Sequence, residues 1–158
     1  MLQISLATEN DLVEILSLQR AAYQSEAEIY RDWSIQPLTQ SLEQLRKEFE
    51  TKLILKATED KKIVGSIRVH VQEGIGFIEK LITQPDEQQR GIGSALLKTA
   101  EEELKGITQF RLFTGQLSIK NLAFYEKRGY REFNREVISD NLTLVWMRKT
   151  KGFYDQRE

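Results

Sequence analysis

Cysteine is absent from the 158-residue chain, which excludes a disulfide framework, a thiolate zinc site and any covalent mechanism through a cysteine nucleophile. Histidine occurs once, as His70. Multi-histidine metal sites are therefore impossible, and a Ser-His-Asp triad would have to be built around that one ring. Proline is scarce, with 2 residues against 9 glycines, and no Pro/Gly/Ser linker, internal repeat or low-complexity tract marks a domain boundary. No apolar run approaches the roughly 18 residues that cross a bilayer, and the first residues lack a basic segment followed by an apolar stretch and a small-residue cleavage site. A soluble, cytoplasmic chain without a membrane partner is expected. Charge of one sign is also lacking: 23 Lys and Arg against 24 Asp and Glu leave a net charge of -1, so no overall basic field draws nucleic acid. What remains is one domain with an ordinary globular composition, 40% hydrophobic and 30% charged, large enough to bury its own core.

The periodicity predicts alternating strands and helices. Ile4 and Leu6 alternate with polar neighbours, and Thr8 to Asp11 resembles a capping box ahead of a helical stripe of Leu12, Ile15, Leu16 and Ala22. Pro37 and the pair Ser41 and Gln44 mark a second helix start, with Leu42, Leu45 and Phe49 as its apolar face and a polar-aromatic loop before it. From Lys52 to Gln72 the period becomes two, and Ile63, Gly65, Ile67, Val69 and Val71 oppose Ser66, Arg68, His70 and Gln72. His70 then lies on a polar face and reads as plain surface. Glu73-Gly74 turns the chain into a third strand, Ile75 to Thr83. A helix with Ala95, Leu96, Ala100 and Leu104 on one stripe, a strand at 110–114, a helix from Ile119 to Gly129 and a final hairpin follow. The expected order is βααβββαβαββ.

The most informative stretch is Gln88-Gln89-Arg90-Gly91-Ile92-Gly93-Ser94, a glycine-containing loop between a strand and an amphipathic helix. Gly91 and Gly93 let backbone approach a ligand closely, and consecutive N–H groups at a helix N-terminus bind phosphate with the help of the helix dipole. A Gly-x-Gly alone is weak evidence, because glycines also shape ordinary loops. Two nucleotide motifs fail here. A P-loop needs Lys-Ser/Thr after its last glycine, where Ser94-Ala95 stand, and a Rossmann fingerprint needs a small residue at Leu96 and an acid near Phe110.

The loop and its surroundings resemble the GNAT (GCN5-related N-acetyltransferase) superfamily, whose Gln/Arg-x-x-Gly-x-Gly/Ala signature is matched by Gln88, Gly91 and Gly93. The twenty residues from Ile78 to Leu97 are similar to the family's strand, loop and helix. N-L-A-F-Y-E-K-R-G-Y, Asn121 to Tyr130, looks like its second signature. Thr83 departs from the valine that is common there. The resemblance covers residues 1–150 and leaves the tail at 151–158 outside.

It implies an α+β domain with a mixed, mostly antiparallel sheet of about seven strands, splayed in the middle and flanked by about four helices. It further implies acetyl-CoA as cofactor, no metal, and an amine acceptor, either a small molecule or a peptide. Backbone of Leu81, Ile82 and Thr83 would bind pantetheine, N–H groups of Gln89, Arg90, Gly91, Ile92, Gly93 and Ser94 the pyrophosphate, and Asn121 and Tyr125 the cofactor's other side.

Tyr125 lies four residues after Asn121, so both project from one helix face. A phenol there can protonate a departing thiolate, or it can simply pack. Glu79, expected to share a strand face with Phe77, Leu81 and Thr83, is a candidate base for the amine, although structural salt bridges perturb acids equally. Tyr23, Glu26, Tyr30 and Trp33 crowd the connection between the first two helices and suit a cationic amine; a solvated loop accounts for them as well. The aromatic tail Gly152-Phe153-Tyr154 leaves a homodimer possible. A catalytically silent acyl-CoA-binding or regulatory module is the rival to an enzyme, and Tyr125 together with Glu79 is the feature that separates them.

Overall fold

A computed structural model of the chain describes residues 1–87 and 90–151. Seven strands form one sheet: β1 (Gln3–Leu6), β2 (Leu53–Glu59), β3 (Lys62–Gln72), β4 (Ile75–Thr83), β5 (Gln109–Gly115), β6 (Arg131–Ser139) and β7 (Leu142–Thr150), in the order β1-β2-β3-β4-β5-β7-β6. Helices α1 (Leu12–Ala22), α2 (Gln24–Tyr30), α3 (Gln36–Thr39) and α4 (Leu42–Thr51) precede β2, while α5 (Ile92–Glu103) and α6 (Ile119–Lys127) flank β5. The expected seven-strand mixed sheet is present. No helix among the described residues is long and apolar enough to cross a membrane.

Local chemistry explains the connections. Asp60-Lys61 and Glu73-Gly74 each place two successive residues at positive φ (51° and 65°, 52° and 78°), the geometry of two-residue hairpins whose twist matches their strands. Ser41 accepts from the Gln44 N–H and the Gln44 side chain accepts from the Ser41 N–H, so the capping box starts α4 as its sequence predicts. The connection between the first two expected helices is not a loop. Most of it winds into α2 and α3, anchored by Tyr30, whose hydroxyl accepts from the Leu117 N–H at 3.1 Å and lies 2.7 Å from Ser118 Oγ. A Cβ at Gly115 would overlap that hydroxyl, so the glycine is what lets α2 dock on the end of β5.

Two apolar clusters sandwich the sheet. Leu55, Ile67, Val69, Ile78, Phe110, Leu112 and Met147 meet Leu96, Leu97 and Ala100 of α5 on one face. Ile54, Ile63 and Ile82 meet Leu12, Ile15, Leu16 and Leu45 of α1 and α4 on the other. Full burial of each such aliphatic side chain is worth about 1.5–3 kcal/mol, which holds both helix layers down. Consequently β3 is buried from Ile63 to Val69 on both faces, and its polar alternation does not mark a solvent face. Arg68 is 1% exposed.

The sheet opens at its middle. β4 and β5 run parallel and pair only from Ile75 to Phe77 with Gln109 to Arg111; every other neighbouring pair is antiparallel. Beyond that point the two strands diverge. A β-bulge beside the divergence also re-aims a side chain. Val69 pairs with Ile78 but Arg68 pairs with Lys80, so Ile78 and Lys80 lie on opposite faces although they are two residues apart, and alternation fails between them. Leu81, paired with Ile67, packs with the α5 cluster, whereas Glu79 reaches Lys52, at the end of α4. The sequence expectation that Glu79 shares a face with Leu81 and Thr83, and that Lys80 opposes it, is thereby corrected, while the face it shares with Phe77 holds: the extra residue leaves Glu79 and Lys80 alike on the α1/α4 side.

Candidate active site

The open end of the splay is a cleft of about 860 Å³, bounded by Leu81, Ile82 and Thr83 of β4, the start of α5, α6 from Ile119 to Tyr125, and Tyr23, Glu26 and Ile29 of the α1/α2 layer. The N-terminus of α5 faces it. Gly91 caps the helix at φ 82°, a left-handed conformation that glycine adopts without strain. The N–H groups of Ile92, Gly93 and Ser94, in the helix's first turn, have no carbonyl acceptor within the helix and stand at the positive end of its dipole. Such a terminus is an anion site. A Cβ at Gly93 would lie 3.5 Å from Phe124 and 3.9 Å from Thr83, so this residue floors the cleft between α6 and β4. Arg90 is partly exposed and its guanidinium meets the Glu59 carboxylate at 3.0 and 3.2 Å. Gln88 and Gln89 lie outside the described residues.

Across the cleft stands α6. The Tyr125 ring packs edge-on against Phe124 and Tyr130, with centroids 5.2 and 5.8 Å apart. Burial, followed by the nearby groups Tyr23 and Glu26, pushes its phenol well above the ordinary tyrosine value, so it keeps its proton at neutral pH. Tyr23, on the opposite wall, is raised to about 12, again by burial first and then by Glu26. The Glu26 carboxylate accepts from Ser118 Oγ at 2.7 Å and from Asn121 Nδ2 at 2.9 Å. Asn121 Nδ2 also lies 3.3 Å from Thr114 Oγ1. Tyr23, Glu26, Asn121 and Tyr125 therefore meet in one cleft although about a hundred residues separate the two pairs. Tyr30 and Trp33 are not brought there. Tyr30 is buried as the strut under α2, and Trp33 is 53% exposed in the turn after that helix.

At the closed end of the splay lies a second, smaller cavity of about 170 Å³, lined by His70, Phe77, Glu79, Arg111, Phe113 and Trp146 among others. His70 is thus not plain surface: its Nδ1 is buried without a hydrogen-bond partner. Lys52 Nζ lies 2.5 Å from Glu79 Oε1 and 3.3 Å from Glu48 Oε1. Behind them Arg68 donates to Glu48 at 3.2 and 3.3 Å, to Gln40 at 3.4 Å and to Gln19 at 2.8 Å. Lys80, 9% exposed, is depressed to about 8, by burial first and then by Arg68. Sequence reasoning missed this charged layer. The signal, an arginine and a lysine on strands rich in Ile and Val, is visible only once both faces are known to be covered.

The fold as a whole is similar to those of several solved N-acetyltransferases. PaiA N-acetyltransferase from Thermoplasma acidophilum, solved in complex with coenzyme A, superposes with a TM-score of 0.79 at 21% identity, over 95% of this chain and 99% of that one. The ribosomal-protein-S18-alanine N-acetyltransferase from Escherichia coli gives 0.81 at 19% identity, over 97% and 96%. The acetyltransferase (GNAT) domain model matches residues 20–151, and the chain belongs to that family. It is also 41% identical over 75 residues to YxbD of Bacillus subtilis (strain 168), a stretch that is 46% of either chain. The matched region spans about half the length of the curated relatives.

Proposed function

We propose that the chain is an N-acetyltransferase that moves the acetyl group of acetyl-CoA to a primary amine by direct transfer in a ternary complex. The observation that carries this reading is the cleft itself, which puts the unbonded N–H groups of α5 and the protonated phenol of Tyr125 on the walls of one opening. The coenzyme A held by the structurally similar PaiA supports the choice of donor, and the lack of cysteine supports direct transfer. Acetyl-CoA would supply an activated thioester and a pyrophosphate. Ile92, Gly93 and Ser94 N–H groups bind the phosphates, and Leu81 to Thr83 hold the pantetheine arm along the unpaired edge of β4. Glu79, directly or through water, takes the proton of the amine; backbone near Thr83 polarises the thioester; Tyr125 returns a proton to the thiolate. Titration calorimetry with acetyl-CoA is the first test: a folded sample that binds none at millimolar concentration overturns the assignment.

One observation favours the silent module instead. One oxygen of the Glu79 carboxylate, Oε1, is already in contact with Lys52. Thiol release with a panel of amines separates the two readings, since binding without turnover is the signature of the module. Replacing Glu79 by glutamine is expected to lower kcat/KM about 10²-fold or more, because the group that would take the proton of the amine is gone. A rate that persists unchanged moves proton removal to another group.

Gly93→Val is expected to weaken acetyl-CoA binding about tenfold or more, roughly 1.4 kcal/mol. Its Cβ meets Phe124 at an ordinary contact distance, so circular dichroism should report an intact fold, while the added methyls narrow the cleft. Wild-type affinity in this variant would show the glycine to be a loop former only. Gly91→Val is the poorer test, since a β-branched residue at φ 82° is strained whatever binds.

A further inference from the structure

We propose that Arg111 and Arg148, set against the ring of Phe133, form a carboxylate-binding end of the acceptor site, so that the amine acetylated belongs to a low-molecular-weight amino acid. This deepens the acetyltransfer reading and rests on it.

Arg111 on β5 and Arg148 on β7 are direct cross-strand partners. Like charges in that relation repel, and a sheet normally relieves them with an acid nearby. Here, among the described residues, neither arginine has an ion pair. Arg111 spends its Nε on Gln109 Oε1 at 2.6 Å, and its two terminal nitrogens have no hydrogen bond. The carboxylates of β6 are committed elsewhere, Glu132 to Arg135 and Glu136 to the Trp146 indole. What holds the two cations together is Phe133, whose ring centroid lies 5.1 Å from the guanidinium carbon of Arg111 and 4.9 Å from that of Arg148. Phe133 sits where the register between β6 and β7 shifts, and such a bulge re-aims a side chain. Two cross-strand guanidinium groups with vacant donors suit a carboxylate in charge and in donor chemistry.

Arg111 of this pair lines the small cavity at the closed end of the splay, together with Glu79, His70 and three aromatic rings. Phe113 and Trp146 pack with centroids 5.0 Å apart, and Phe77 pairs directly with Arg111. Glu79 follows Phe77 by two residues on the same side of the sheet. The cavity thus offers a carboxylate, the Arg111 guanidinium with Arg148 as its cross-strand neighbour, and an aromatic wall, complementary to an ammonium, a carboxylate and an apolar side chain in one molecule. Its volume of about 170 Å³ suits a single amino acid.

The test uses matched acceptors with the full chain and acetyl-CoA: phenylalanine against phenethylamine and phenylalaninamide, and lysine against cadaverine, with thiol release as readout. Carboxylate-bearing acceptors are expected to have kcat/KM at least about tenfold higher. In Arg111→Gln that preference should fall to near unity, mainly through KM, while acetyl-CoA affinity by calorimetry is unchanged. Arg148→Gln, at an exposed position, should lower the preference in the same sense without risk to folding. Quenching of tryptophan fluorescence by phenylalanine but not by phenethylamine, lost in Arg111→Gln, reads the site even where no turnover occurs. Equal or better use of the amines that lack a carboxylate overturns the proposal, as does a preference for peptide amines over free amino acids. Turnover of amines with no effect of either arginine variant leaves acetyltransfer standing and removes this site, whereas failure to bind acetyl-CoA removes the enzyme reading instead.

Discussion

Tyr125→Phe is expected to lower turnover about 10²-fold or more, the low end for a positioned general acid, with acetyl-CoA affinity nearly intact. Only the hydroxyl is removed. The ring keeps its edge-on contacts with Phe124 and Tyr130, so a selective fall in kcat assigns the effect to protonation of the thiolate and not to binding. The direction of its pKa suits the role, because burial keeps the phenol protonated throughout the neutral range. The measurement must be made where chemistry limits turnover, shown by single-turnover kinetics. A variant that keeps more than about half the wild-type rate would make the tyrosine a packing residue and water the proton donor.

Arg68→Ala should cost about 3–5 kcal/mol of stability, read from urea denaturation, because it removes one member of a buried charged network and leaves the rest behind. Glu48 would keep its place beside Gln40 and Lys52 without the guanidinium that it meets at 3.2 Å. The pH dependence gives a second readout. Burial pushes the Glu48 carboxyl up, yet Arg68, Gln40, Lys80 and Lys52 together outweigh it and hold it below its ordinary value of 4.5. A depressed acid stabilises the fold above its unfolded pKa, and that stability is lost as pH falls through the folded one. Wild type should therefore lose stability below about pH 4.5 through this group, and the slope should shrink in Arg68→Ala. Replacing Arg68 and Glu48 together by Met and Leu is expected to recover most of the loss, since an apolar pair needs no compensating charge. A loss under 1 kcal/mol in the single variant would mean that water solvates the site.

Much of this molecule was legible in order along the chain. The strands from Leu53 to Thr83, the helix after Gly91 and the final hairpin all follow from period, capping and turn residues, which are short-range signals. The loop at Gly91 and the segment from Asn121 to Tyr130, which holds most of α6, were legible for the same reason, as their residues are contiguous. Where reading failed, a distant part of the chain had intervened. The polar face of β3 looked like surface because nothing local announces that α1 and α4 will cover it. Glu79 keeps the face of Phe77, as alternation predicts, but not that of Leu81, because a bulge is a property of two strands and not of one. Tyr23, Tyr30 and Trp33 looked alike in a loop, yet packing against the end of β5 buries Tyr30 and turns only Tyr23 and Glu26 to the cleft.

By itself, then, the sequence determined the kinds of element, their order, the family resemblance and the chemistry that is unavailable, because composition and periodicity are set residue by residue. The tertiary structure alone decided which side chains meet. Pairing of β4 with β5 over three residues opens the cleft, the bulge at Glu79 puts Lys80 on the same side as that carboxylate and Leu81 on the other, and the cross-strand register brings Arg111 and Arg148 together from 37 positions apart. Each depends on long-range register, in which a shift of one residue would reverse every facing.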